Sequence, residues 1–138
     1  MSHPPAQPPS PLKRLLHSFG YAFSGLWYVI KTQQNMRIHL GVTACVILLG
    51  LYLELRYDQW AILGLTVGFV MVAEMFNTVA EAAMDATVPH YHPLIKTAKD
   101  VAAGAVLITS LISVCVGLLI LGPPLWRRIY SWLQIWAN

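Results

Sequence analysis

The chain has 138 residues, of which 57% are hydrophobic and only 11% charged, with a formal net charge of +3. Soluble globular proteins carry about 25% charged residues, so the composition excludes an ordinary soluble domain and indicates an integral membrane protein. The positive balance does not indicate a nucleic-acid partner, because the basic residues sit at the borders of apolar stretches rather than on one soluble face.

Residues 1–11, MSHPPAQPPSP, hold five prolines and no apolar run. They read as a disordered tail rather than a cleaved signal peptide, so the first apolar span must serve as its own signal. Ser10-Pro11 is a helix start, and Leu12, Leu15, Leu16, Phe19, Phe23, Leu26 and Ile30 then recur at helical spacing. The opposite face carries Lys13, Arg14, His17, Tyr21, Tyr28 and Lys31, which predicts an amphipathic surface helix over 12–32 lying in the membrane interface. A plain peripheral anchor explains such a helix equally well.

Three apolar stretches long enough to cross about 30 Å of hydrocarbon follow, predicting spans at about 38–55, 60–85 and 94–121. The expected fold is all-α, with three transmembrane helices behind one surface helix. The connection through Glu54, Arg56, Tyr57 and Asp58 is too short for an outside domain, so spans one and two form an antiparallel hairpin. Pro89 and Pro93 return the chain to the starting side, and Pro123-Pro124 are expected to stop the third span. Residues 123–138, with Trp126, Trp132 and Trp136, read as an aromatic interfacial tail. Gly64 and Gly68 form a GxxxG pair, a common motif that permits close helix approach. Cys45 and Cys115 read as small apolar packers, not as a disulfide.

Orientation follows from the basic residues. With a cytoplasmic N-terminus, Lys13, Arg14, Lys31, Arg37, Lys96 and Lys99 fall inside, against Arg56, Arg127 and Arg128 outside, in agreement with the positive-inside rule.

The second span departs from apolar character in one place. Glu74, Asn77, Glu81 and Asp85 lie at helical offsets of 0, 3, 7 and 11, which confines them to an arc of roughly 80°. An ionised acid at mid-bilayer costs about 2.5–3.5 kcal/mol, so such a stripe persists only by facing a partner, a metal or water. Glu81 and Asp85 lie near the cytoplasmic end and Glu74 about 10 Å deeper, while Lys99 and Asp100 enter at the outer level. Acids that hold Mg²⁺, a cation that steadies phosphates and an acid that takes a hydroxyl proton are the parts phosphoryl transfer needs. Neither a Walker-type nor a kinase-type glycine loop is present. On the residues alone three classes stay open: a membrane enzyme, a proton- or ion-coupled transporter using Glu74, and a structural assembly. Asp85 also reads as a solvated helix end, His39 as an interfacial residue, and His90 with His92 as an HxH pair lacking a third metal ligand.

The run from Glu74 to Asp85, followed by His90 to Ile108, resembles the prokaryotic diacylglycerol kinase and undecaprenol kinase family. The likeness extends through Gly20 to Leu26 and Asn35 to His39, covering roughly Leu12 to Leu121, and Tyr91 to Leu94 with Lys99 to Gly104 resembles the undecaprenol-type branch slightly more. The resemblance implies a homotrimeric kinase of the bacterial cytoplasmic membrane, with sites between subunits facing the cytoplasm. It would move the γ-phosphate of MgATP to the hydroxyl of diacylglycerol or undecaprenol. Carried over by position, Glu74 corresponds to the catalytic base, Glu81 to a magnesium ligand, and Asn77 to a polar positioning group. Lys99 with Asp100 corresponds to the nucleotide-contacting pair, and Tyr21 to a nucleotide contact on the surface helix. Where the family commonly has a second metal-binding glutamate, this chain has Gln33. An amide offers one carbonyl oxygen and no charge, so Mg²⁺ should be held more weakly there.

Overall fold

A computed structural model describes residues 10–87 and 92–137. The expected residues 1–9 of the tail, and Pro89, His90 and Tyr91 of the return loop, lie outside the described residues. The rest is four helices: α1 (Pro11–Thr32), α2 (Gln34–Tyr52), α3 (Tyr57–Thr87) and α4 (Pro93–Ala137). Among the described residues three helices, α2 to α4, are long and apolar enough to span a bilayer.

Helix α1 opens on the anticipated Ser10-Pro11 pair, with Arg14 N–H donating to Ser10 O at 3.0 Å. Of its residues only Val29 is buried, and the apolar face from Leu12 to Leu26 lies open. Its junction with α2 is shorter than expected. A single extended residue, Gln33, separates the two helices, its N–H bonded back to Val29 O at 2.8 Å. Because Gln33 is the whole elbow, its side chain is fixed at the mouth of the bundle.

At the opposite end α2 closes on a Schellman turn: Glu54 N–H donates to Leu51 O and Leu55 N–H to Gly50 O, each at 3.2 Å. Glu54 takes φ of 54°, a left-handed conformation usually given to glycine. Gly50 is required one turn earlier, because a Cβ there would sit 2.7 Å from the Trp60 ring. This end is sealed by Leu53, Leu63 and Leu121, with Val46, Leu49, Leu55, Ile120 and Leu125 packed around them.

The expected stop at Pro123-Pro124 is corrected: α4 continues through both prolines to Ala137, so the aromatic tail is its last four turns. Each proline removes one N–H from the ladder, yet contacts beyond them hold the helix in place. Leu125 joins the leucine cluster, and Arg128 reaches Glu54 at 3.4 Å while its guanidinium lies 5.5 Å from the Tyr52 ring centroid. The Arg127 side chain donates to Pro123 O at 3.4 Å. Gly64, Gly68 and Gly104 have nothing within 4 Å of a Cβ position, so no helix of the same chain approaches them closely. Cys45 and Cys115 are free thiols on the outward surface.

Candidate active site between helices α2, α3 and α4

The buried face of α3 carries Leu63, Val70, Glu74, Asn77 and Thr78, so apolar burial passes into polar burial along one helical stripe. Glu74 is the most deeply buried side chain described, with 0% exposure, and neither of its carboxylate oxygens has a hydrogen-bond partner. Thr78 is no substitute partner, because its hydroxyl donates back to Glu74 O at 2.9 Å. A buried, unsatisfied carboxyl is costly, and a fold that retains one is organised around something it receives.

One turn and two turns outward the pattern reverses. Asn77 Nδ2 donates to Glu81 Oε1 at 3.1 Å, and Gln33 Nε2 donates to Glu81 Oε2 at 3.3 Å. The Glu81 carboxylate is thus oriented by two neutral amides, one from its own helix and one from the α1–α2 elbow. Glu74, Asn77 and Glu81 line a cleft of about 310 Å³ together with Asn35 and His39 of α2 and Ala103, Val106, Leu107 and Ser110 of α4.

The remaining sequence-derived residues fall around this centre. Lys99 is ion-paired with Asp85, so the outermost member of the acidic stripe is engaged by α4 rather than turned into the cleft. Asp100 is bonded to Lys96 at 2.6 Å on the exposed side of α4, which separates it from Lys99. Tyr21 lines a different, shallow groove on α1 with Lys13 and His17, its ring 6.4 Å from that of His17. His92 accepts a hydrogen bond from Leu94 N–H at 3.2 Å, which makes it a start-of-helix residue.

Two cleft residues escape a reading of the sequence by span. Asn35 and His39 stand four apart on α2, with Thr43 one turn further. That i, i+4 polar row in an apolar helix is the same signal as the stripe on α3. Ser110 of α4 gave no comparable signal, since isolated serines are ordinary in membrane helices.

Among the described residues no three His, Cys, Asp or Glu side chains converge as a ready-made metal site. That suits Mg²⁺, which is held by one or two carboxylates plus substrate phosphates rather than by an all-protein cage. Glu81, oriented by two amides, could supply such a carboxylate.

The profile of the prokaryotic diacylglycerol kinase family matches residues 20–121, a stretch that contains every wall of the cleft. The chain belongs to this family. Its relatives include an undecaprenol kinase of Bacillus subtilis, 38% identical over 114 residues that cover 83% of this chain and 93% of that one. A diacylglycerol kinase of Synechocystis is 46% identical over 112 residues, covering 80% of this chain but 64% of the relative. A diacylglycerol kinase of Helicobacter pylori is 33% identical over 96 residues, or 70% of this chain and 75% of its own. The family likeness read from the motifs therefore holds, and nothing among these matches favours the transporter.

Proposed function

We propose that the chain is an ATP-dependent membrane lipid kinase that phosphorylates the hydroxyl of diacylglycerol or undecaprenol at the cytoplasmic face of the bacterial membrane. Membership of the prokaryotic diacylglycerol kinase family carries the assignment, and the Glu74 carboxyl, wholly buried and without a hydrogen-bond partner among the described residues in a cleft with a polar outer wall, supports it. An alcohol suits it, since its O–H can donate to one carboxylate oxygen and its proton has a base to go to.

In the transfer, the lipid oxygen attacks the γ-phosphorus of ATP as its proton passes to Glu74. The bond from phosphorus to the bridging oxygen breaks, and ADP departs with that bond's electron pair. Bound with the nucleotide, Mg²⁺ would neutralise charge on the phosphates. Glu81 is the ligand placed for it, and Gln33 can add one amide oxygen if its side chain turns away from Glu81. Asn77 keeps the Glu81 carboxylate aimed. Lys99 serves the transferring phosphoryl group by exchanging Asp85 for a phosphate oxygen. Asp100 and Tyr21 complete the nucleotide contacts, and in a single chain both lie outside the cleft.

That separation supports a homotrimer whose sites are completed between subunits. On α3 the face opposite the acids exposes Leu65, Phe69, Val72, Phe76 and Val79, alternating three and four residues apart, a spacing suited to helix association. The exposed apolar face of α1 fits a helix lying in the interface.

Incubating the purified protein with γ-labelled ATP and each lipid in mixed micelles tests the assignment. Labelled phosphatidic acid or undecaprenyl phosphate is expected, and the ratio of the two identifies the acceptor. Ion or solute flux in vesicles with no ATP consumed would overturn it in favour of a transporter.

A further inference from the structure

A second cleft, of about 230 Å³, opens directly beyond the acidic one and deeper along the same three helices. The two share a pair of residues, His39 of α2 and Ser110 of α4. Past them the wall becomes mainly apolar, with Val42, Val46, Val67, Val70 and Val114 beside Met71, Thr43 and Ser113. One side of the pair thus faces an unsatisfied carboxyl, and the other faces a slot with little to offer a charge or water.

We propose that His39 and Ser110 form the passage through which the acceptor's alcohol reaches Glu74, with a stretch of one of its hydrocarbon chains lodged in the valine-lined slot. The inference rests on the lipid-kinase reading of the acid cleft and deepens it by assigning the acceptor's path. An ion or a nucleotide would lose hydration in the slot and find nothing in return, whereas a hydrocarbon chain fills it without loss. A hydroxyl at the head of the acceptor suits the far side of the passage, because its O–H can donate to one of the bare oxygens of Glu74.

Two neighbouring threonine hydroxyls are already committed to backbone, and Ser113 is a further hydroxyl on the slot wall. Thr43 donates to His39 O at 2.7 Å, and Thr109 to Ala105 O and Val106 O at 3.1 and 2.9 Å. Ser110 and the His39 imidazole are the polar groups set where headgroup meets chain, and each can exchange a hydrogen bond with an alcohol oxygen. Their role is to position the acceptor, and the chemistry remains with Glu74.

Two measurements decide the matter. First, Ser110→Phe, which narrows the passage, should raise KM for the lipid by about tenfold or more, the scale of one altered packing contact in a substrate pocket. KM for MgATP should stay within about twofold if only the acceptor's path is touched. Ser110→Ala, which keeps the passage open, should shift the lipid KM less. Unchanged lipid KM in Ser110→Phe, or equal movement of both constants, overturns the proposal.

Second, the wild-type protein is photolabelled with a diacylglycerol and with a polyprenol, each carrying a diazirine on a carbon near the hydroxyl. Crosslinks on Val42, Val70 and Val114 are expected, and crosslinks confined to the outward Phe69 and Phe76 face overturn the passage. Labelling needs no turnover, so the two readings fail separately. A chain labelled in the slot that transfers no phosphate defeats the kinase assignment alone, and one that turns over but is labelled elsewhere defeats the passage alone.

Discussion

The two ends of the helix bundle solve opposite problems with the same three helices. At the Glu54 end every buried group is apolar, the turn is closed by its own backbone, and Gly50 lets the Trp60 ring lie against α2. At the Gln33 end the buried set includes the polar Glu74, Asn77 and Thr78 beside the apolar Val29, Met36 and Val106, and the deepest of the polar groups has no hydrogen-bond partner among the described residues. Packing at the first end stabilises the hairpin. The second end gives up stability to keep a carboxyl bare, which is how a site prepared for a ligand differs from a finished core.

The contrast is broken most severely by Glu74→Gln. General-base removal should lower kcat for lipid phosphorylation by about 10²- to 10⁴-fold. The amide carries no charge to desolvate, so thermal stability should equal or exceed that of the wild type and the oligomer should elute unchanged. Substantial residual turnover would remove Glu74 from the chemistry. The converse variant is Gly50→Val at the other end. Its side chain must displace the Trp60 ring, at a cost of about 1–3 kcal/mol for overpacking. Stability in detergent should fall while kcat and both KM values of the folded fraction hold, and a selective loss of turnover would show that the ends are coupled.

Gln33→Glu sharpens the comparison within the site. It would place a second carboxylate beside Glu81, where an amide now donates at 3.3 Å. The pair repels until a cation arrives, so the Mg²⁺ concentration for half-maximal activity should fall and Mg²⁺ should raise the melting temperature more than in the wild type. An unchanged or increased requirement would reject a ligand role for position 33.

Much of this was legible in the sequence because hydrocarbon punishes misplaced polarity. A carboxyl at 74 needs a reason in any bilayer, and the 0, 3, 7 spacing puts Asn77 and Glu81 beside it wherever the helix ends. What stayed hidden depends on contacts between distant segments. The Asp85–Lys99 pair closes across the α3–α4 return, and Gln33 meets Glu81 only because a single residue forms the elbow between α1 and α2. Pro123-Pro124 misled for the same reason. Local chemistry says stop, but Leu125 in the leucine cluster and Arg128 on Glu54 carry the helix past both rings.

The smallest expected effect lies at Glu54, where two local terms oppose each other. Holding a non-glycine residue in the left-handed region costs about 1–2 kcal/mol. The exposed contact with Arg128, at 3.4 Å, returns about 0–1 kcal/mol. The backbone term is the larger, so Glu54→Gly should raise stability by up to about 1 kcal/mol despite losing the ion pair, as read from the melting temperature in detergent. Raising the salt concentration should then weaken the wild type slightly and leave the variant unmoved. A net loss of stability would mean that Arg128 holds the last turns of α4 through Glu54 more firmly than an exposed pair can, with the Tyr52 ring as its second support.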